Sequence, residues 1–458
     1  MPAQAKATEY VIVDLETTGL DPVQDEIIEI AGVKVRRGLI VDQFSALVDP
    51  GLPVSGEIQA LTGISNEMLA GQPAIQDIMP EFAAFVGEAE LAAHNAPFDS
   101  AFLHKYWPDS RAWLDTLTLA QILWPLSPSY SLANLVNQLD IENNSAHRAL
   151  SDALATAELF IRIEKGLDAL PKAARADILR LAAGDETPTG ALLRRKCTAA
   201  PGQSDDPEPE AKGERQPRRE ADAAYQVDLA EIAAYLGQDS LYRERLDAFE
   251  ERPQQLKMAQ AVAWALNQKG CLLAEAGTGT GKSLAYLLPA ALFALGGGSQ
   301  VAVSTYTRNL QEQLLNKDIP MLSRLLGQPV KAAVVKGRGN YLCQRLYRYY
   351  LDNPPEAMRY FLMRVAVWRA GSRGGDGGEL TLNAADKWKW QRIAASRENC
   401  VPFCPFGRRN SCLVQRARLA AGAADIVILN HSLLIANAAV EKGFLPSLPY
   451  LIVDEAQH

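Results

Sequence analysis

Two carboxylates stand two residues apart at the end of an apolar run, Val11-Ile12-Val13-Asp14-Leu15-Glu16. If the run is a β-strand, its period of two sends Asp14 and Glu16 to one face and Leu15 to the other. Like charges side by side on one face are costly unless a cation lies between them, so the pair is a candidate for divalent-metal chemistry. Taken alone, it is equally well a set of solvated charges at a sheet edge. In His94-Asn95-Ala96-Pro97-Phe98-Asp99 the apolar run Glu90-Leu91-Ala92-Ala93 ends in a turn, and Asp99 opens a helical pattern, where by itself it reads as a helix N-cap. Ser145 to Asp152 then leads into a third helical pattern carrying His147 and Asp152. Residues five apart on a helix lie about 140° apart, so both face one site only if His147 sits in the loop or first turn. A lone histidine there would otherwise be a surface or capping residue.

In this order, Asp-x-Glu, Asn-x-x-Phe-Asp and His-x-x-x-x-Asp, the three elements resemble the DEDDh 3′-to-5′ exonucleases over about residues 8–165. The resemblance implies an RNase H-like α/β fold and a role for each residue. Asp14, Glu16, Asp99 and Asp152 would hold two Mg²⁺ or Mn²⁺ ions that clamp the attacking and leaving oxygens of phosphodiester hydrolysis. His147 would be the general base, since an imidazole titrates near operating pH. A tyrosine four residues before Asp152 would mark the sister subtype, and Arg148 stands there instead.

A second constellation begins at Cys271-Leu272-Leu273-Ala274-Glu275, read as a strand. It runs through Ala276-Gly277-Thr278-Gly279-Thr280-Gly281-Lys282-Ser283 into an apolar helix. Such glycines let the backbone wrap a polyphosphate; Lys282 would reach its β- and γ-phosphates and Ser283 a Mg²⁺ ion. The strict pattern begins with glycine, and this chain has Ala276. Near the end, Leu451-Ile452-Val453-Asp454-Glu455 reads as a strand delivering two acids, Asp454 to Mg²⁺ and Glu455 to the hydrolytic water. Three further segments make the resemblance one to DinG-type helicases, bacterial relatives of XPD in superfamily 2. Arg252-Pro253-Gln254-Gln255 resembles the adenine-reading element, with Arg252 and Gln255 the contributors. Val303 to Leu310 resembles the motif that contacts single-stranded DNA phosphate, and Asp425 to His431 a strand preceding the acidic motif. The departure is Gln457, with His458 one place later than the family's Asp-Glu-Ala-His. This resemblance, from about Tyr225 to His458, implies ATP binding by a RecA-like P-loop motor domain. It also implies a second motor domain beyond the acidic motif, where this sequence stops, so an incomplete helicase with weak ATP binding and no unwinding is expected.

Between the motor motifs lie Cys343 and the run Cys400-Val-Pro-Phe-Cys404-Pro-Phe-Gly-Arg-Arg-Asn-Ser-Cys412. Four thiolates suit either a [4Fe–4S] cluster or a structural Zn²⁺. The paired Cys-x-x-Cys knuckles usual for zinc are missing, and the DinG resemblance implies the cluster. Residues 387–418 hold eight Lys/Arg against one acid, interleaved with Trp388, Trp390, Phe403 and Phe406. Basic charge follows phosphates and aromatic faces stack on unpaired bases; a solvated charged helix with buried tryptophans is the alternative.

These motifs need strands and helices to carry them. Apolar strands alternate with helical patterns from Thr8 to about Leu170, as in an α/β domain, and again from Tyr225 to the last residue, as in a parallel sheet with crossover helices. The expected domains are an exonuclease at 8–170, a linker rich in proline and charge at 184–224, and a motor domain at 225–458 with a mostly helical insertion at about 337–415. The 458 residues, 48% hydrophobic and 22% charged, suffice for two to four full cores and exclude a disordered or collagen-like chain. The longest apolar stretch, Leu284 to Leu295, has 12 residues and contains Pro289, too short to span a bilayer. No membrane partner is expected. The N-terminus lacks the basic and apolar regions of a secretory signal, which makes the cytoplasm the default compartment. A net charge of −8 argues against a uniformly basic nucleic-acid coat. The reading that joins these features is a metal-dependent 3′-to-5′ exodeoxyribonuclease linked to an ATP-binding helicase module. Its partners would be single-stranded DNA, with RNA left open, and replication or repair proteins. The rivals are a nucleic-acid-binding module and a helicase-led enzyme with an accessory nuclease; the five filled catalytic positions weigh against the first.

Overall fold

In the computed structural model, residues 8–198, 225–237 and 252–457 are described, apart from 108, 110, 144, 145, 278, 298, 373, 441–444 and 446. Period two governs the first strand, β1 (Glu9–Thr17). Its odd residues Val11, Val13 and Leu15 enter a core with Phe82, Leu91 and Phe102. On the opposite face the Tyr10 ring meets Phe160 of the helix Ala149–Asp168 edge-on, with centroids 4.7 Å apart. Asp14 and Glu16 therefore share the face on which that helix lies. With β2 (Ile27–Arg36), β3 (Leu39–Leu47), β4 (Glu90–Ala93) and β5 (Leu114–Asp115), β1 forms a sheet in the order β3-β2-β1-β4-β5. The β1–β2 and β2–β3 pairs are antiparallel, and β4 is parallel to both β1 and β5. The hairpin between β2 and β3 turns through Arg37 and Gly38, both at positive φ, which suits the twist of a two-residue hairpin loop.

A second sheet contains β6 (Val301–Thr305), β7 (Ala332–Val334), β8 (Ile426–Asn430) and β9 (Tyr450–Val453) in the order β7-β8-β6-β9, every pair parallel. The inner strands β6 and β8 are apolar on both faces, as parallel strands under crossover helices must be. The helix Lys282–Leu295 supplies much of their core through Leu287, Leu288 and Phe293. Both sheets give the α/β class read from the sequence. No helix among the described residues is long and apolar enough to cross a membrane.

Four local expectations differ from the structure. Residues 271–276 form no strand: Leu273 is almost fully exposed, and the segment joins no ladder to satisfy its backbone groups. The segment expected as a linker begins with a helix, Pro188–Cys197, capped by the Thr187 hydroxyl and anchored by buried Leu192, Leu193 and Cys197; its remainder, 199–224, lies outside the described residues. Asp99 does not cap its helix, which starts earlier at Ala96 because Pro97 fits a first turn better than the turn before it. Finally, the described chain divides into two compact units, and Arg345–Ile393, expected within the motor insertion, belongs to the first, along with the helices Lys172–Ala182 and Pro188–Cys197. Composition could not show this, since the segment's apolar residues pack on surfaces contributed by chain far away in sequence.

Candidate active site

Carboxylate oxygens of Asp14, Glu16 and Asp152 lie within 4.8 Å of one another, the one such group of three or more His, Cys, Asp or Glu among the described residues. β1 brings the first two, and the first turn of the helix Ala149–Asp168 lowers Asp152 over the strand end. Asp152 Oδ2 accepts the backbone N–H of His147 at 3.0 Å, and Oδ1 accepts the Asn143 amide at 2.8 Å. Asn143 is itself oriented by the Ser151 hydroxyl, 2.7 Å away. His147 is exposed, at φ +63° in the turn before the helix, which frees it from the helical spacing that would have turned it from Asp152. Asp99, 5% exposed in the helix Ala96–Leu103, lies outside the trio but within electrostatic reach of Asp14 and Glu16.

The cluster is short of positive charge. Burial, then Asp99, Asp152, Glu16 and Glu29, push the Asp14 carboxyl well above the usual carboxylate range. Burial, then Asp152 and Glu29, push Glu16 up to about 7, with Arg148 opposing. Burial raises Asp99 as well, against the backbone N–H groups of Asp99 and Leu15 that bond its carboxylate. An all-oxygen donor set that resists ionisation until a cation neutralises it fits Mg²⁺ or Mn²⁺. Between about 4.5 and about 7 the folded, metal-free protein keeps a proton on Glu16 that the unfolded chain has released, so this group's stability contribution falls as pH rises through that window. Adding Mn²⁺ should therefore raise Tm more at pH 8 than at pH 5 in thermal unfolding. An equal rise at both values would count against the cluster as the ion site.

Residues not singled out from the sequence hold this geometry. Glu29, 2% exposed, pairs in register with Glu16 across β1 and β2. Its carboxylate accepts Arg148 Nη2 at 2.8 Å, Arg148 Nε at 3.1 Å and the Ala149 N–H at 2.9 Å. It thus satisfies an orphan donor at the start of the helix that carries Asp152. Asp115 does the same for the helix of Asp99, accepting the N–H groups of Asn95 and Ala96 at 3.0 and 3.3 Å. An acid inside the buried run Ile27-Ile28-Glu29-Ile30 was the available signal for Glu29. For Asp115 there was none beyond a capping pattern.

In the second unit, Gly279 and Gly281 take positive φ, a backbone conformation that glycine adopts without a steric penalty. Thr280 bonds back to the Gly277 carbonyl at 2.9 Å; Thr278 lies outside the described residues. Lys282 and Ser283 open the helix that follows. Arg252 and Gln255, expected at the adenine, lie against this loop, donating at 2.9 Å to the carbonyls of Gly279 and Gly281. Asp454 follows β9, its N–H bonded to the Ser304 carbonyl at 2.9 Å and its Oδ2 accepting Tyr286 Oη at 3.0 Å; Glu455 follows at φ +56°. Cys343, Cys400, Cys404 and Cys412 all lie in this unit, and none is in a disulfide. Burial, then Arg338, pull the Arg418 guanidinium below its usual range. Among the described residues the four sulfurs are not gathered into a group of three or more within 4.8 Å of one another. Phe403 is 79% exposed with the Arg408 guanidinium 5.1 Å from its ring, whereas Trp390 is buried.

Comparison with known proteins gives the class. Residues 11–160 match the exonuclease family model and residues 253–345 the DEAD/DEAH box helicase model, so the chain joins an exonuclease domain to a helicase-type domain. Over 98% of its length it is similar to proteins named 3′-5′ exonuclease DinG. One from Bacillus subtilis (strain 168) is 33% identical over 473 residues, and one from Staphylococcus aureus (strain USA300) is 30% identical over 463. The chain spans about half the length, 50%, of these curated relatives. Among solved structures, exonuclease X in complex with 5′ overhanging duplex DNA is 36% identical, covering 34% of this chain and 91% of that one, with a TM-score of 0.30.

Proposed function

We propose that this chain is a metal-dependent 3′-to-5′ exonuclease acting on single-stranded DNA ends, joined to an ATP-binding helicase-type module, and that it works in cytoplasmic DNA repair or replication. The mutual approach of Asp14, Glu16 and Asp152, with His147 held beside them, carries this reading. Asp14, Glu16, Asp99 and Asp152 would hold Mg²⁺ or Mn²⁺. Two bound divalent cations supply Lewis acidity that favours hydroxide formation and neutralises charge on the phosphate. His147 accepts the proton of the attacking water on an imidazole nitrogen. The water oxygen bonds to phosphorus, the P–O3′ bond breaks, and the 3′ oxygen takes a proton from solvent, releasing a 5′-nucleotide. Glu29 and Arg148 keep the helix of Asp152 in register with β1 throughout.

For the second unit the proposal is Mg²⁺-ATP on Gly277, Gly279, Gly281, Lys282 and Ser283, with Thr278 and Thr280 in the same loop and Asp454 and Glu455 facing the metal and water. Cys343, Cys400, Cys404 and Cys412 are assigned to a [4Fe–4S] cluster, and the lack of disulfides among the described cysteines suits a reducing cytoplasm. Protein purified without oxygen should be brown, and Cys404→Ser should lose the colour. A colourless wild type holding stoichiometric zinc would overturn this assignment, since Zn²⁺ has a filled d shell.

The exonuclease reading is tested with strands labelled at either end, incubated with Mn²⁺ and no ATP. A 3′ label should leave at once as a mononucleotide while a 5′ label shortens stepwise. Lys282→Ala should behave like wild type. Binding without digestion would favour the binding-module alternative; digestion that needs ATP and fails in Lys282→Ala would favour a helicase-led enzyme.

A further inference from the structure

Arg364 lies in the helix Arg359–Gly371 and is only 3% exposed. A buried guanidinium is tolerated only when its charge is paired and most of its N–H groups are bonded; here Nε finds no partner among the described residues, whereas both terminal nitrogens do. Nη1 donates to Asp386 Oδ2 at 2.9 Å. Nη2 donates to the Thr381 carbonyl at 2.6 Å, to Tyr130 Oη at 3.1 Å and to the Pro125 carbonyl at 3.3 Å. The guanidinium carbon also sits 5.2 Å from the centre of the Tyr130 ring. Pro125 and Tyr130 bound the turn between the helices Thr116–Leu123 and Leu132–Gln138, and Tyr130 Oη donates within that turn to the Trp124 carbonyl at 2.9 Å. A segment placed in the sequence between the phosphate loop and the acidic motif thus holds a turn of the exonuclease unit.

The contact continues towards the acids. The Tyr130 carbonyl is 2.9 Å from His94 Nε2, and His94 Nδ1 is 3.0 Å from the Thr116 hydroxyl. A carbonyl can only accept, so Nε2 carries the proton, while Nδ1 lies beside a Thr116 hydroxyl that is also 3.2 Å from the Ala93 carbonyl. His94 directly precedes Asn95, the residue that starts the helix of Asp99. The same segment is pinned at other points: Tyr347 Oη donates to Asp177 at 2.9 Å, and the Tyr360 and Thr187 hydroxyls meet at 2.9 Å. Arg364 therefore acts from a fixed platform.

We propose that Arg364 is a positioning residue for the exonuclease site, fixing through Tyr130 and His94 the start of the helix that carries Asp99, so that nuclease activity depends on residues 345–393. This inference rests on the exonuclease reading above. The test uses the full chain, with kcat on 3′-labelled single strands, the Mn²⁺ concentration for half-maximal rate, Tm, and binding of a fluorescent ATP analogue as a readout of the other unit. Arg364→Met should lower kcat between about tenfold and 10²-fold, the scale of a misplaced catalytic group. It should also raise the half-maximal Mn²⁺ severalfold at temperatures well below Tm, with nucleotide binding unchanged. Because that change strands a buried Asp386, the double variant Arg364→Met/Asp386→Leu is measured beside it; it should fold and show the same two losses. A folded double variant with wild-type kcat and Mn²⁺ requirement overturns the proposal. If neither folds, Tyr130→Phe decides: it removes the hydroxyl that joins Arg364 to the Trp124 carbonyl, and a severalfold fall in kcat with a higher Mn²⁺ requirement supports the proposal, whereas unchanged values overturn it. A wild type that releases no label defeats the exonuclease reading itself.

Discussion

Asp14→Ala should lower release of a 3′ label by about 10³-fold or more, roughly 4 kcal/mol of transition-state stabilisation. Asp14 is the member of the acidic cluster whose carboxyl feels the most acids, with Asp99, Asp152, Glu16 and Glu29 all raising it on top of its burial. Its loss removes the central anion through which the others share a cation. The same crowding provides a control against unfolding. A carboxylate whose folded pKa is raised destabilises the fold once ionised, so deleting it at pH 8 in the absence of metal should raise Tm by a few degrees rather than lower it. The expected result is an inactive protein that is at least as stable as wild type before metal is added and gains less Tm from Mn²⁺. Equal activity of Asp14→Ala and wild type would sink the catalytic assignment. A loss of activity accompanied by a fall in metal-free Tm would mean that the side chain supports the fold instead.

What could be read from the sequence was local. Asp14 and Glu16 share a face because period two along a nine-residue strand leaves no other choice, and the 140° between His147 and Asp152 on a helix demanded the turn in which His147 lies. The Gly279 and Gly281 conformations likewise follow from a pattern within a few residues. What could not be read crosses the chain. Glu29 and Arg148 are 119 residues apart, and each alone looks like an ordinary strand or turn charge; only the β1–β2 register and the descent of the helix onto it bring them together. Arg364 is 234 residues from Tyr130, and nothing in its helix signals a guanidinium buried against a turn of the exonuclease unit to which both belong. The strand expected at 271–276 failed for a related reason. Apolar composition marks a segment able to pair, but the partner strand comes from chain far away in sequence; among the described residues β9 is a sheet edge, with Leu451 and Val453 half-exposed.

His147→Ala should lower kcat by about 10²–10⁴-fold, the usual contribution of a positioned general base, while the half-maximal Mn²⁺ concentration stays near that of wild type. The separation follows from which atoms do what. The bond that ties this turn to the cluster runs from the His147 backbone N–H to Asp152 Oδ2 at 3.0 Å, and alanine keeps it. His147 is exposed, and the bond it makes to Asp152 comes from its backbone rather than its ring. A complication is the φ of +63°, which histidine adopts more readily than alanine, so the alanine turn carries a conformational cost of about 1–2 kcal/mol. His147→Gly removes that cost without restoring a base. If the imidazole takes the proton from water, both variants lose turnover to a similar extent and glycine gives no rescue. Were glycine to recover the wild-type rate, the backbone of this turn would be the contribution and the base would lie elsewhere. Were the Mn²⁺ requirement to rise in step with the loss of rate, His147 would be acting on Asp152 and its cation rather than on the attacking water.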